Sequence, residues 1–255
     1  MSNDVIYELP LNERIRTFLR LEHLFDKAEH YLAQTSEWSS RVAIDSLLDI
    51  LTITSRTDLK TELNKEIDRH SKSLKIIAQN PDIDEEILAE SLAQLQNCSQ
   101  KICTVTGKIG SGLIQTDLLK TISQRVAIPG GTCDFDVPSY HQWLNQPSHQ
   151  RLQDLEHWAS EFAPFKQAIK LLLQFIRLSA NAGPQVAVEG FYQQALPQGQ
   201  AFQLIRVFVD SDNACFAEIS GGRHRFSIRF MAPQQTERPV QTDKNISFRL
   251  ALCSL

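Results

Sequence analysis

The chain lacks the features that most quickly betray a class. Its five cysteines, Cys98, Cys103, Cys133, Cys215 and Cys253, are scattered and odd in number, and none form a Cys-x-x-Cys pair. That usage suits reduced thiols and argues against a disulfide framework or a zinc site. No apolar run approaches the length of a membrane span. The opening residues, Met1 to Glu8, have no basic head or apolar core of the signal-peptide kind. An excess of positive charge is also missing, since 26 lysines and arginines face 30 acids for a net charge of -4. A surface attracting nucleic acid or anionic lipid all over is thereby excluded, although a local basic patch is not. There is no internal repeat, low-complexity tract or long linker. The expectation is a cytoplasmic protein without a membrane partner.

What is present is an ordinary globular mixture, 255 residues with 42% hydrophobic and 22% charged, long enough to bury a proper core. Helical spacing dominates from about Leu11 to Ser179. Phe18, Leu21, Phe25, Ala28 and Leu32 recur at three and four, then Ile44, Leu47, Leu48 and Leu51. Leu59, Leu63, Ile67, His70, Leu74 and Ile77 form a near-heptad seam, suited to packing within a bundle or to a helical dimer contact. Asn80-Pro81 stops that helix, and Asp82 with Glu85 resembles a capping pair for the next, which carries Ile87, Leu88, Leu92 and Leu95 inward. Further helices are expected at Ile114 to Arg125, around Leu152, Leu155 and Trp158, and after Pro164.

From Pro184 the period becomes two: Val186 and Val188, Ile205 to Val209, Phe226 to Phe230, and Ile246 to Leu250. Gly221-Gly222 reads as a type I′ hairpin turn, which needs positive φ at both central positions. Val5 to Glu8 and Cys133 to Val137 read as strands outside this region. The fold class expected is α+β, a helical bundle plus a mainly C-terminal antiparallel β-domain. The helical domain would span 10–182, with 128–137 lent as a strand to a β-domain of 183–255 that the N-terminal strand 1–9 joins.

The strand Arg223 to Met231 is the sharpest functional feature. Alternation puts His224, Phe226, Ile228 and Phe230 on one face and Arg223, Arg225, Ser227 and Arg229 on the other. Arg225 and Arg229 lie roughly 13 Å apart, and the nearest preceding acid is Glu218. Uncompensated guanidinium groups favour a bound carboxylate or phosphate. The competing reading is a solvated face that discourages edge-to-edge pairing.

Other constellations carry less. Gly107-Lys-Ile-Gly110-Ser-Gly112 lacks the order of a phosphate loop and reads as a loop between helices. Cys133, Asp136 and His141 could be recast as nucleophile, orienter and base, but no nucleophile elbow surrounds them and a structural thiol is the plainer reading. Asp134 and Asp136 are too few for a cation site. His141, His149 and His157 recur every eight residues, a spacing that does not keep them on one helical face, and Pro147 breaks the run. No cofactor and no metal is called for.

Taken in order along the chain, Asn12-Glu-Arg-Ile-Arg-Thr-Phe-Leu-Arg20, Ile128-Pro-Gly-Gly131 with Phe135-Asp136 and His141-Gln-Trp-Leu144, Gly190-Phe-Tyr-Gln193, and Ile219-Ser-Gly with Arg225-Phe-Ser-Ile-Arg-Phe-Met231 resemble the ZapD family of Z-ring-associated cell-division proteins. The resemblance implies a cytoplasmic, non-enzymatic homodimer recruited to the division site at midcell. It implies binding to the C-terminal tail of FtsZ and bundling of FtsZ protofilaments. By position, the family's basic tail-binding residues fall on Arg20, Arg56, His141, Arg225 and Arg229, with Arg16, Lys60, Arg125 and Arg223 as additional basic candidates. One family position that can be basic is Asp117 here, with Lys120 and Arg125 nearby. The alternative from another class is a single-stranded nucleic-acid binder using the Arg225 and Arg229 face.

Overall fold

A computed structural model describes residues 3–78, 84–222 and 224–254. Strand β1 (Asp4–Pro10) leads into helices α1 (Glu13–Leu32), α2 (Glu37–Arg56), α3 (Leu59–Ile77) and α4 (Glu85–Thr104). Then come α5 (Ser111–Gln115), α6 (Asp117–Arg125), α7 (Pro138–Leu144), α8 (Ser148–Ser160) and α9 (Ala163–Leu178). The remainder is β2 (Gly183–Ala187), β3 (Phe191–Ala195), β4 (Phe202–Asp210), β5 (Phe216–Gly221), β6 (Arg225–Ala232), β7 (Val240–Gln241) and β8 (Ile246–Ser254). The fold is α+β. Contacts divide it into Thr17–Leu172 and a second unit of Met1–Arg16 with Leu173–Leu255, so the division falls inside α1 and α9.

In the helical unit, side-chain oxygens start the helices where the sequence supplies them. Ser36 accepts from the Ser39 N–H, and Asp58 from the Thr61 N–H, each satisfying a first-turn donor. Phe18, Leu21, Phe25 and Ala28 of α1 are buried, as their spacing requires. Lys166 and Lys170 of α9 pair with Asp26 and Glu29 of α1. The Gly107–Gly112 segment is a structural joint. Gly110 has φ +71°, and a Cβ there would sit 2.6 Å from Leu51 and 3.1 Å from Phe162. The Gly112 N–H donates to the Glu161 carboxylate at 3.1 Å, so the anion on this loop is the chain's own.

One open alternative for this unit is resolved and several expectations are corrected. Leu59, Leu63, Ile67 and His70 are buried within the chain, at 0–2% exposure, and α3 packs on α4, so this part of the seam is internal core and not a dimer contact. Asn80, Pro81 and Asp82 lie outside the described residues, and the cap of α4 is Asp84, which accepts from the Glu86 and Ile87 N–H groups. Ile87 is 63% exposed, and burial in α4 begins only at Leu95, Cys98 and Ile102. The stretch 128–137 is not a strand lent to any sheet. It folds as consecutive turns, the Cys133 N–H donating to the Gly130 carbonyl and the Asp136 and Val137 N–H groups to the Cys133 carbonyl. Bonds this local leave no ladder free for a neighbouring strand. Only Gly131 and Val137 are buried there, while Phe135 is 79% exposed.

The other unit contains two antiparallel sheets, in the orders β1-β4-β8-β2 and β3-β6-β5, with β7 also pairing with β6. Their buried side chains form one core in which Phe226, Ile228 and Phe230 meet Val207, Phe248 and Leu250. The rings of Phe230 and Phe248 lie 5.2 Å apart, as do those of Phe248 and Tyr192. Glu8 of β1 ties this unit together. Its carboxylate accepts from Arg177 of α9 and Arg206 of β4, each at 2.8 Å. Burial pushes the Glu8 carboxyl up, but the Arg177 hydrogen bond and the charges of Arg177 and Arg206 outweigh it and leave the group below the usual range.

Two expectations change here as well. Val186 and Val188 face outward, because the inner side of β2 presents Ala187 and Gln185, whose amide oxygen accepts from the Tyr192 hydroxyl. The β5–β6 hairpin exists, but its register pairs Gly221 with Phe226, and the Gly222 N–H donates to the Arg225 carbonyl. Neither glycine has positive φ. Gly221 answers a packing need instead, since a Cβ there would lie 3.0 Å from Leu9.

Candidate functional site

The alternation expected of the arginine strand holds within β6. Phe226, Ile228 and Phe230 are buried, while Arg225 and Arg229 are exposed on the opposite face and Ser227 is half-buried between them. His224 precedes β6 as an exposed residue and does not join the buried row. Arg223 lies outside the described residues.

Register supplies the rest of the site. On one side of β6, Arg229 lies opposite Phe191, Ser227 opposite Gln193 and Arg225 opposite Ala195 of β3. On the other, Arg229 lies opposite Glu218 and Ser227 opposite Ser220 of β5. Directly opposed residues share a face, so these side chains surround the two arginines. A shallow groove of about 530 Å³ runs over them, lined by Phe191, Gln193, Ser220, His224, Arg225 and Arg229 among others. Beyond Gly222 and His224 a second depression, of about 700 Å³, adds apolar wall from Leu11, Leu196 and Phe202. Among the described residues, Arg225 and Arg229 form no ion pair, so their donors are available to an anionic ligand. Phe191 is the one exposed aromatic in β3, β5 and β6.

The other basic candidates differ in what they have to offer. Arg20 of α1, Arg56 at the end of α2 and His141 of α7 are all exposed. The guanidinium groups of Arg20 and Arg56 make no ion pair among the described residues. His141 is turned outward by its neighbours, because Tyr140, Trp143 and Leu144 bury the rest of α7, and the Trp143 indole donates to Asp154 at 2.8 Å. Arg125 is exposed in the last turn of α6. Arg16 pairs with Glu13 at 3.1 Å, and the Lys60 ammonium donates to the Val105 and Gly107 carbonyls at 2.7 and 2.6 Å. Lys60 is therefore engaged in holding the loop after α4. Asp117 stands in the first turn of α6, where the helix dipole favours a carboxylate and disfavours a cation.

The Cys133, Asp136 and His141 constellation does not activate its thiol. The Cys133 thiol donates to Asp136, and partial burial together with that neighbour pushes its pKa up, the wrong direction for a thiolate. Among the described residues no group of three or more His, Cys, Asp or Glu side chains could hold a metal ion. Nor is any described helix long and apolar enough to cross a membrane.

Comparison with known proteins identifies the family. The sequence model of the ZapD family, described as a cell division protein, matches residues 19–229 and so takes in both arginines of β6. The Cell division protein ZapD of Methylococcus capsulatus is 41% identical over 255 residues, the whole of both chains. Proteins of the same name from Azoarcus sp. and Ralstonia nicotianae are 38% and 37% identical over 251 residues, 98% of this chain and 100% and 99% of theirs. Similarity of that degree along the entire length places this chain in the ZapD family of cell division proteins.

Proposed function

We propose that this chain is a non-enzymatic division factor that binds the C-terminal tail of FtsZ and, as a homodimer in the cytoplasm, crosslinks FtsZ protofilaments at midcell. The observation that carries this reading is the pair Arg225 and Arg229, exposed together on β6 over a buried aromatic face and without ion-pair partners among the described residues. Acidic groups of the tail bind those guanidinium groups, and the apolar wall near His224 gives neighbouring side chains somewhere to bury. Arg20, Arg56 and His141, all exposed, are further basic candidates for the tail, on the helical unit. A single short motif binds weakly, but two sites on one dimer gain avidity from an array of tails along each filament. A base-stacking platform for nucleic acid would need several exposed aromatics, and the arginine face offers one.

Titration of a synthetic FtsZ C-terminal tail peptide at low and high salt tests the reading. Exposed arginines act over a screening length of about 8 Å at physiological ionic strength, so affinity falls as salt rises. Arg225→Ala and Arg229→Ala each remove a charge-assisted contact of about 1.5–3 kcal/mol, roughly ten- to a hundredfold in affinity. Affinity that stays flat with salt and survives both substitutions refutes the assignment.

A further inference from the structure

The two arginines of the β6 face have unequal surroundings. Arg229 is opposed across β5 by Glu218, an exposed carboxylate on the same face, and across β3 by Phe191. Arg225 is opposed on β3 by Ala195, and on the β5 side the chain has reached Gly222, whose N–H donates to the Arg225 carbonyl. One arginine thus has a carboxylate as a directly opposed cross-strand neighbour and, among the described residues, the other has none. Directly opposed strand residues bring their Cβ atoms within about 5 Å, although Glu218 and Arg229 make no ion pair within 4 Å. Neither group is consumed by the other. The Glu218 charge acts on whatever arrives at Arg229.

We infer that Glu218 sets both the strength and the selectivity of this face: it weakens the capture of an acidic side chain at Arg229 and leaves Arg225 as the principal anion contact. This rests on the tail-binding reading above and deepens it. A carboxylate bound at Arg229 lies about 7 Å from the Glu218 carboxylate, and in water that repulsion amounts to roughly a threefold change in affinity. A carboxylate bound at Arg225 lies roughly 13 Å away, beyond the screening length of about 8 Å, and is indifferent to Glu218. The ligand favoured by the pattern has its acidic group at the Arg225 and His224 end. An apolar residue about four positions along reaches Phe191, at the strand's rise per residue. The device keeps each tail contact weak, which suits a crosslinker that must release and rebind along a filament.

Glu218→Gln removes the charge and keeps the shape on an exposed position, so folding is not at stake. The probe is the FtsZ C-terminal tail peptide, titrated at physiological ionic strength into the unsubstituted protein, Glu218→Gln, Arg225→Ala, Arg229→Ala and the two double variants. Glu218→Gln binds about threefold tighter, the gain persists when Arg225 is also replaced, and it disappears when Arg229 is replaced. If the unsubstituted protein binds normally and Glu218→Gln binds equally or more weakly, this inference alone is overturned, and weaker binding would make Glu218 a contact for a basic group of the tail. A gain that persists without Arg229 also overturns it, since the effect would then be one of overall charge. No binding by the unsubstituted protein refutes the tail-binding reading and this inference with it.

Discussion

Truncating Phe230 and truncating Arg229, adjacent residues of one strand, should have opposite consequences. Phe230 is 0% exposed and its ring meets Phe248 in the core shared by both sheets. Replacing it by alanine removes a buried aromatic and leaves a cavity that the neighbouring rings cannot fill, a loss of about 3–5 kcal/mol. For a chain of this size each kcal/mol moves Tm by about 2–4 °C, so a fall of roughly 6–20 °C follows. Arg229 stands on the exposed face without an ion-pair partner among the described residues, and Arg229→Ala alters stability by less than about 0.5 kcal/mol. Its effect is on binding. Thermal melting by circular dichroism, read beside tail-peptide titration, separates the two. An Arg229→Ala protein that melts as early as Phe230→Ala but binds normally once folded would show that the outward face is structural, and the site assignment would be wrong.

Other expectations follow from the ionic contacts. The Glu8 pKa is depressed in the folded protein, so its contribution is fully present above the ordinary carboxylate range and is lost as pH falls through the folded value. Glu8→Gln should therefore lower stability at neutral pH by about 1.5–3 kcal/mol and flatten the acid limb of a Tm-against-pH curve; an unchanged acid limb would deny Glu8 that role. Lys60→Met loses two donors to the Val105 and Gly107 carbonyls and should destabilise the helical unit by about 1–2 kcal/mol while leaving tail-peptide affinity unchanged. Weakened peptide binding by a Lys60→Met protein of normal stability would make Lys60 a contact after all.

The periodic parts of the fold were legible because burial is written into spacing. Phe18 to Ala28 and Phe226 to Phe230 needed no knowledge of their neighbours. What could not be read is what a partner element decides. The buried seam of α3 was equally compatible with a dimer contact until α4 was placed on it. Cys133 to Val137 alternates like a strand, yet the prolines and glycines around it close local turns instead. Val186 and Val188 carry apolar side chains but face outward, because strand phase is fixed by pairing with β8 and not by composition. The arginine face was visible in the sequence, whereas its asymmetry was not. Glu218 is eleven positions before Arg229 along the chain, and only the β5–β6 register sets them side by side. The place of Lys60 beneath the Gly107 loop carried no sequence signal at all, since a lysine at a helix start looks the same whether it caps carbonyls or meets a ligand.

The central claim is that this protein holds FtsZ filaments together through the arginine face of β6. Sedimentation of polymerised FtsZ at low speed, with and without the protein, tests it most directly. The unsubstituted protein should drive filaments into the pellet and co-sediment with them, while FtsZ lacking its C-terminal tail stays in the supernatant and the Arg225→Ala/Arg229→Ala double variant fails to shift it. Equal pelleting by the double variant, or of tailless FtsZ, would contradict the account.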